Sequence, residues 1–452
     1  MPPLQPLLRR ATQLLSLVML TVPAAGQTPA PPAPAYTLNR ASYDIKGWAA
    51  ATQGGQGGRL VRVSNLNANG PGSYREAVEA SGPRTVVFEV GGVIDMAGQP
   101  ITITHPYLTI AGQTAPSPGI SIIKAETVIA THDVVIQHLR FRPGEFGRPK
   151  KGGGDQDGIS TAGGAYNVIV DHCSFSWATD ENLSASGPRF AGNSPQEWRQ
   201  GTSHHITYSY NLIYEGLSNS VHEKGEHSKG SLIHDNTSGV LLYANVYASN
   251  RERNALFKGG AQGAMVNNLI FNPGTRAAHY ILLDNEWGSH PYQTGRLTLV
   301  ANLYRQGPDT VPGTALFTLR GQGDVELYLK DNVALDRNGQ TIAQTDNQSK
   351  GKAQLISAST PYLPPDIRVY PVSRLEQDLP AAVGARPWDR DALDNTLLTD
   401  MANGRGKIID SEVANALGYP SHPATHRPFV AEDWNLTDMS PRAGWAALLS
   451  PR

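Results

Sequence analysis

The acidic residues of one short stretch, "DGISTAGGAYNVIVDHCSFSWATDEN" at positions 157 to 182, have the types and spacing of a cation site. Asp157 opens the stretch, and Asp180 and Glu181 close it after two apolar runs. Solvated turn acids would explain the same pattern. Carboxylates that converge from neighbouring turns would instead supply the oxygen ligands that a hard cation prefers. The rest of the chain decides between these two interpretations.

Basic residues are concentrated further along the chain. Arg251, Arg253 and Lys258 lie within eight residues of one another, and Lys224 and Lys229 precede them. A lone surface arginine is ordinarily a solvated side chain. Several cations on neighbouring turns of a chain whose formal net charge is -1 predict a basic groove for an extended polyanion.

The elements that must position these residues form a repeat in the middle of the chain. Segments such as "VIVDHCSF" and "LYANVY" share apolar residues, then His or Asn, then alternating apolar or aromatic positions. The repeat recurs at intervals of 23 to 39 residues, around His138, His172, Asn211, Asn245, Asn268, Asn302 and Asn332. Such a period, with Gly-rich turns and no long amphipathic helix, is typical of a strand solenoid. We therefore predict an all-β, right-handed parallel β-helix, in which the inward-turned Asn and His side chains bond neighbouring coils.

The ends of the repeat carry helix signals. Ser73 is followed three residues later by Glu76, a capping box that predicts a short helix closing the first coil. Pro387 and Asp389 predict the start of a second helix, and Gly404 predicts its end. We expect residues 48–340 to form the β-helix and residues 341–452 to form a C-terminal segment packed on it.

Composition and the N-terminus exclude several kinds of partner. A net charge of -1 and a pI of about 6.9 argue against a nucleic-acid surface or a membrane-seeking face. The one cysteine, Cys173, excludes an internal disulfide framework. Basic residues, a short apolar run and small residues predict a signal peptide at 1–26, followed by a Pro/Ala-rich linker at 27–47. We expect a secreted or periplasmic monomer without membrane contact after signal cleavage.

Longer strings in this chain resemble a known family. The order of the strings along the chain is more specific than any one of them, and the similarity runs over roughly residues 48–335. They resemble the pectate lyases of polysaccharide lyase family 1 in "TVVFEVGGVID" (85–95), "LTIAGQTAPSPGISI" (108–122), "DVVIQHLRFRPG" (133–144), "NVIVDHCSFSWATDENLS" (167–184), "HEKGEHSKG" (222–230) and "SNRERNALFKGG" (249–260).

The resemblance implies a calcium-dependent enzyme that cleaves α-1,4-linked polygalacturonate, the uronate chain of pectin, by β-elimination. Asp157 and Asp180 match the positions of the family's calcium ligands, and Asp155 and Glu181 could add ligands or remain solvated turn acids. This chain departs from the family at Ser184, where a second Asp is frequent. A site with one carboxylate fewer should bind Ca²⁺ weakly in the absence of the anionic substrate.

The resemblance also assigns roles to the basic residues. Arg253 matches the catalytic base of the family, with Ala255 where a proline is usual, and Lys224 is the reserve candidate. The expected substrate-binding residues are Lys224, Lys229, Arg251 and Lys258. Since free arginine stays protonated at ordinary pH, the role requires surroundings that disfavour its charge.

Two other classes of function remain to be weighed. A β-helix hydrolase would use clustered Asp residues as acid and base, and this chain has no Asp-Asp pair. A non-catalytic polyuronate-binding β-helix would keep the fold without needing Arg253 beside acidic turns. Unsaturated oligogalacturonides are the products expected of the lyase.

Overall fold

The computed structural model describes residues 45–365, 367–414 and 418–444. The predicted signal peptide, 1–26, and the linker, 27–47, therefore lie outside the described residues, apart from residues 45–47 of the linker. No helix among the described residues is long and apolar enough to cross a membrane.

Three long sheets run along the molecule, and successive coils of the chain add parallel strands to each of them. The nine-stranded sheet, called the site sheet below, contains Ile101–Ile103, Thr127–Ile129, Ile159–Thr161, Leu183–Ala185, Leu232–Ile233, Leu256–Lys258, Ala278–Leu282, Phe317–Gly321 and Thr345–Asn347. This architecture is the predicted right-handed parallel β-helix.

The other two long sheets complete the coils. The eleven-stranded sheet contains Arg59–Val63, Arg84–Phe88, Leu108–Ala111, Val134–Gln137, Tyr166–Asp171, His204–Ser209, Ser238–Tyr243, Gln262–Val266, Gly295–Val300, Val325–Lys330 and Leu355–Ser357. The ten-stranded sheet contains Val90–Asp95, Ile120–Ile123, Arg140–Arg142, Ser174–Ser176, Leu212–Tyr214, Val246–Ala248, Leu269–Phe271, Leu303–Arg305, Val333–Leu335 and the antiparallel edge strand Thr425–His426. Two parallel strands of these sheets lie beyond residue 340, at Thr345–Asn347 and Leu355–Ser357.

Helices are short and lie outside the sheets. The α-helices are Tyr74–Glu79, Pro195–Gly201, Asp284–Trp287, Leu375–Asp378 and Ala392–Ala402, and the 3-10 helices are Gly47–Ala49, Gly112–Thr114, Val372–Arg374, Leu379–Ala381 and Ala431–Asp433. A small hairpin pairs Trp434–Asn435 with Ser440–Pro441.

The predicted asparagine ladder is confirmed. From Asn245 onward, each buried amide oxygen accepts from the amide nitrogen of the Asn one coil earlier, and the same oxygen accepts that residue's backbone N–H. The N···O distances are 2.9 to 3.0 Å along the column Asn211, Asn245, Asn268, Asn302 and Asn332. His138 and His172 instead stack their rings, with centroids 5.0 Å apart. The ladder fixes the register of the coils, and so the alignment of strand ends at which the functional residues lie.

Both predicted helices are present, with one correction. The Ser73 hydroxyl accepts the Glu76 N–H at 3.2 Å, as the capping box predicts. The second helix begins at Ala392 and is capped by Asp391, not by Asp389. The reason is that the Asp391 carboxylate accepts the backbone N–H of Asp394, whereas Asp389 pairs with Arg386.

Candidate active site

The acidic residues of the predicted site meet at the edge where the site-sheet strands begin. Asp157 and Glu181 each lie two residues before a strand, and those two strands pair in register. The Glu181 backbone N–H donates to the Asp157 carboxylate at 2.9 Å. Carboxylate oxygens of Asp157, Asp180 and Glu181 all lie within 4.8 Å of one another. The two turns at the ends of the quoted stretch therefore do converge, and these three residues are called the acid cluster below.

Burial and mutual repulsion shape the charges of this cluster. The pKa of Asp157 is raised by burial first, and then by the negative charges of Asp180 and Glu126. Burial also acts to raise the pKa of Asp180, but His227 and Arg253 outweigh it and the pKa is lowered. Several buried carboxylates around one point are unfavourable without a cation, and an oxygen-only donor set suits Ca²⁺. The residues present therefore fit a calcium site.

Two histidines bracket Asp180. The His227 Nε2 atom lies 3.0 Å from Asp180 Oδ1, and the His222 Nε2 atom lies 3.6 Å from Asp180 Oδ2. The two imidazoles stack on each other, with centroids 3.7 Å apart and planes 15° apart. Sequence reasoning used the string "HEKGEHSKG" for its lysines alone and missed this pair. The repeated His in an otherwise polar turn is the signal that could have found it.

Arg253 lies in a β-bulge beside the acid cluster. Lys229 pairs with Glu252 and Leu232 pairs with Leu256, so three residues on one strand face two on the other. The extra residue lets Arg253 adopt a φ of +63°, which turns its side chain out of the regular alternation. A Cβ atom at the facing Gly230 would lie 2.6 Å from the Arg253 carbonyl oxygen, so the bulge requires a glycine there.

The guanidinium of Arg253 points at the acid cluster. It forms an ion pair with Glu181, and its Nη1 atom lies 4.0 Å from Asp180 Oδ1. Burial lowers the pKa of Arg253, although the charges of Asp180 and Asp157 act in the opposite direction. The sequence-predicted base and the sequence-predicted ligands are thus in direct contact.

Three buried asparagines hold the bulge in place. Asn182 Nδ2 donates to Asn250 Oδ1, and Asn250 Nδ2 donates to Asn254 Oδ1, both at 3.1 Å. Asn254 Nδ2 in turn donates to the Arg276 carbonyl at 3.1 Å. These amides satisfy backbone groups that a bulge takes out of the ladder. Sequence reasoning missed this network, because the three residues fall outside the repeat.

The remaining predicted residues divide between the two ends of the site-sheet strands. At the acidic end, Lys229 pairs with Glu252, Arg251 pairs with Glu226 at 2.7 Å, and both Lys224 and Asp155 are exposed. Lys258 is the last residue of its strand, where it pairs with Glu286 and lies 3.4 Å from Asp235. The structure thus brings Lys229 and Arg251 to the bulge, whereas Lys258 lies in a separate ion-pair group with Arg189.

Comparison with known proteins places the chain in a family. No family model matches it. It is 30% identical over 377 residues to probable pectate lyase C of Aspergillus terreus, covering 82% of this chain and 79% of that one. It is 33% identical over 288 residues to probable pectate lyase C of Emericella nidulans, covering 64% of this chain and 57% of that one.

A solved structure supports the fold. The crystal structure of jun a 1, the major allergen from cedar pollen, superposes with a TM-score of 0.51 at 15% identity, covering 75% of this chain and 92% of that one. A β-helix with this sequence relationship defines a polysaccharide lyase. The chain belongs to the pectate lyase family.

Proposed function

We propose that this pectate lyase requires Ca²⁺ and cleaves α-1,4-polygalacturonate by β-elimination, releasing 4,5-unsaturated oligogalacturonides. The observation that carries the proposal is the contact between Arg253 and the acid cluster, at the edge of a β-helix in this family. Asp157, Asp180 and Glu181 would hold the cation. Asp155, exposed on the same turn as Asp157, is a further proposed ligand.

The chemistry asks for a base and for stabilisation of negative charge. Bound Ca²⁺ would act as a Lewis acid toward the uronate carboxylate, whose charge grows as the C5 proton leaves. Arg253 takes the C5 proton, the C5–H electrons form the C4–C5 double bond, and the glycosidic oxygen leaves C4 and is protonated from solvent. Burial lowers the pKa of Arg253, which favours the neutral guanidine that a base requires.

Binding of the polyanion is proposed for the cations around the bulge. Lys229 and Arg251 lie there, in ion pairs with Glu252 and Glu226, and Lys224 is exposed on the preceding turn. These residues would steer and hold uronate carboxylates. Lys258 belongs to the proposed set as well, at the other end of its strand, where Glu286 and Asp235 already compensate its charge.

The organisation of the chain is also part of the proposal. Residues 1–26 would direct export and then be removed, and residues 27–47 would be a linker that precedes the β-helix. Residues 48–340 would form the β-helix, and residues 341–452 the C-terminal segment packed on it. The mature protein would then act as a monomer in the periplasm or outside the cell, on pectin and not on nucleic acid.

The test is the identity of the product. We expect the mature protein to convert polygalacturonate to oligomers that absorb in the ultraviolet and whose masses are those of unsaturated uronides. Chelator should abolish this activity, and added Ca²⁺ should restore it. Saturated, hydrated oligomers would identify a hydrolase, and binding without any cleavage would identify a non-catalytic β-helix.

A further inference from the structure

The contact of His222 and His227 with Asp180 has two chemical interpretations. Together the three residues form a group that a transition metal could bind, since one ligand atom of each lies within 4.8 Å of the others. Alternatively, the imidazoles are hydrogen-bond donors that orient the carboxylate. The geometry of the rings decides between these interpretations.

Stacked rings cannot share one metal ion. A metal bound by imidazole lies in the ring plane at about 2.0–2.1 Å from the nitrogen. His222 and His227 are nearly parallel and 3.7 Å apart, so an ion midway between them would lie roughly half that distance out of both planes. By contrast, one imidazole N–H can meet a carboxylate oxygen directly, and His227 Nε2 lies within hydrogen-bond reach of Asp180 Oδ1, at 3.0 Å. His222 Nε2, 3.6 Å from Asp180 Oδ2, is too far away for a hydrogen bond.

A backbone hydrogen bond orients the His222 ring, on which His227 stacks. The Lys224 backbone N–H donates to His222 Nδ1 at 3.1 Å, so that nitrogen is an acceptor. A neutral imidazole whose Nδ1 accepts must carry its hydrogen on Nε2, the atom that faces Asp180. His227 makes the closer approach to Asp180, at 3.0 Å, and stacks on His222.

We propose that His227 is a positioning residue that holds the Asp180 carboxylate for cation binding, and that His222 orients the His227 ring by stacking on it. This inference rests on the proposed function, because it takes Asp180 to be a calcium ligand. The inference also explains how this chain, which has Ser184 where the family frequently has an acidic ligand, can still bind Ca²⁺. A ligand with a fixed orientation loses less freedom when the cation binds, and partners of metal ligands typically contribute 10- to 100-fold to affinity.

Two substitutions of His227 separate donation from packing. His227→Gln keeps a donor nitrogen near the position of Nε2, but loses the ring. His227→Phe keeps a ring that can stack on His222, but has no donor. If donation positions Asp180, the Gln variant should bind Ca²⁺ within about threefold of the wild type, and the Phe variant should bind it roughly 10- to 100-fold more weakly.

Equilibrium dialysis with radioactive Ca²⁺, without substrate, measures this directly and does not depend on lyase activity. His234→Phe is the matched control, since His234 Nδ1 lies 3.6 Å from Asp235 at the other end of the site-sheet strands. That variant should bind Ca²⁺ as the wild type does. Equal affinity of His227→Phe and wild type, or loss of affinity in the Gln but not the Phe variant, would overturn the inference. Absence of unsaturated product would refute the proposed function instead.

Discussion

Replacing Asp394 by Asn should destabilise the whole β-helix, because this carboxylate anchors the C-terminal helix to the ten-stranded sheet. The side chain is fully buried and lies 3.0 Å from Arg142 Nη2. Its oxygens also accept from the Tyr214 hydroxyl at 2.9 Å and the Ser174 hydroxyl at 2.6 Å. Asp391 pairs with the same Arg142, so the arginine keeps one partner in the variant.

The magnitude follows from these contacts. Removing one partner of a buried ion pair costs about 3–5 kcal/mol. The remaining carboxylate of Asp391 favours the lower end of that range, so we expect a loss of about 3 kcal/mol in the free energy of unfolding for Asp394→Asn. The two hydroxyl hydrogen bonds, which now meet a neutral amide, should weaken as part of this loss.

Urea unfolding followed by tryptophan fluorescence is the assay. Asp400→Asn in the same helix is the matched control, since Asp400 pairs with Arg405 at 2.9 Å and both side chains are exposed. Exposed pairs contribute about 0–1 kcal/mol, so this variant should unfold close to the wild type. Identical unfolding midpoints for Asp394→Asn and Asp400→Asn would refute the view that the buried pair anchors the helix.

Two further predictions concern the site, and a third concerns the stability contributed by a buried histidine of the strand Ala278–Leu282. Arg253→Lys should lower kcat by about two orders of magnitude or more, the usual scale for an acid–base group, with polygalacturonate binding near that of the wild type. Arg251→Lys should have only a modest effect, through weaker substrate binding. If Arg251→Lys abolished turnover while Arg253→Lys stayed active, the base would be Arg251, two residues away from the predicted position. Asp180→Asn should raise steeply the Ca²⁺ concentration that half-activates the enzyme, with little change in melting temperature, whereas full activity at low Ca²⁺ would show a solvated turn. Burial lowers the pKa of His279 in the folded protein to about 3, although the charge of Glu252 acts to raise it. In the unfolded chain the imidazole has its ordinary pKa of about 6.5, so between these two pH values only the unfolded state binds a proton at His279. The free energy of unfolding should therefore decrease as the pH falls from about 6.5 toward 3, by up to about 1.4 kcal/mol per pH unit from this group. In His279→Gln this decrease should be smaller. If the variant and the wild type show the same pH dependence of unfolding, the assignment to His279 is wrong.

The fold was predictable because its signal is local and repeated. Each of Asn211, Asn245, Asn268 and Asn302 stands in the same short pattern, and each bonds the next coil through the same atoms. A repeated pattern of this kind implies stacking without any knowledge of the turns. The acid cluster followed from the fold, because Asp157 and Glu181 hold equivalent places before paired strands.

The histidine pair and the asparagine network were not predictable in this way. Turns of unequal length bring them to the site. The repeated His marks its turn in the sequence, but neither residue spacing nor residue type indicates that this turn folds back onto Asp180. His227 reaches Asp180 across 47 residues, and Asn182 reaches Asn250 across 68. The sequence also could not show that Lys258 is separated from the bulge. Arg253 precedes the strand Leu256–Lys258 and Lys258 ends it, and only the strand pairing in the structure reveals those bounds.

The contact of Arg253 with the acid cluster suggests how the proposed base and the proposed cation site would depend on each other. When ionised, the three carboxylates and one guanidinium leave two negative charges uncompensated, which matches one divalent cation. The same carboxylates stabilise the protonated form of Arg253, since Asp180 and Asp157 act to raise its pKa against the effect of burial. Arg253 would lose that support once a cation neutralises them, and burial alone would then lower its pKa further. In the proposed mechanism, cation occupancy and proton abstraction would thereby be coupled through Asp180 and Asp157, which is why we expect Asp180→Asn to change the calcium dependence and Arg253→Lys the turnover.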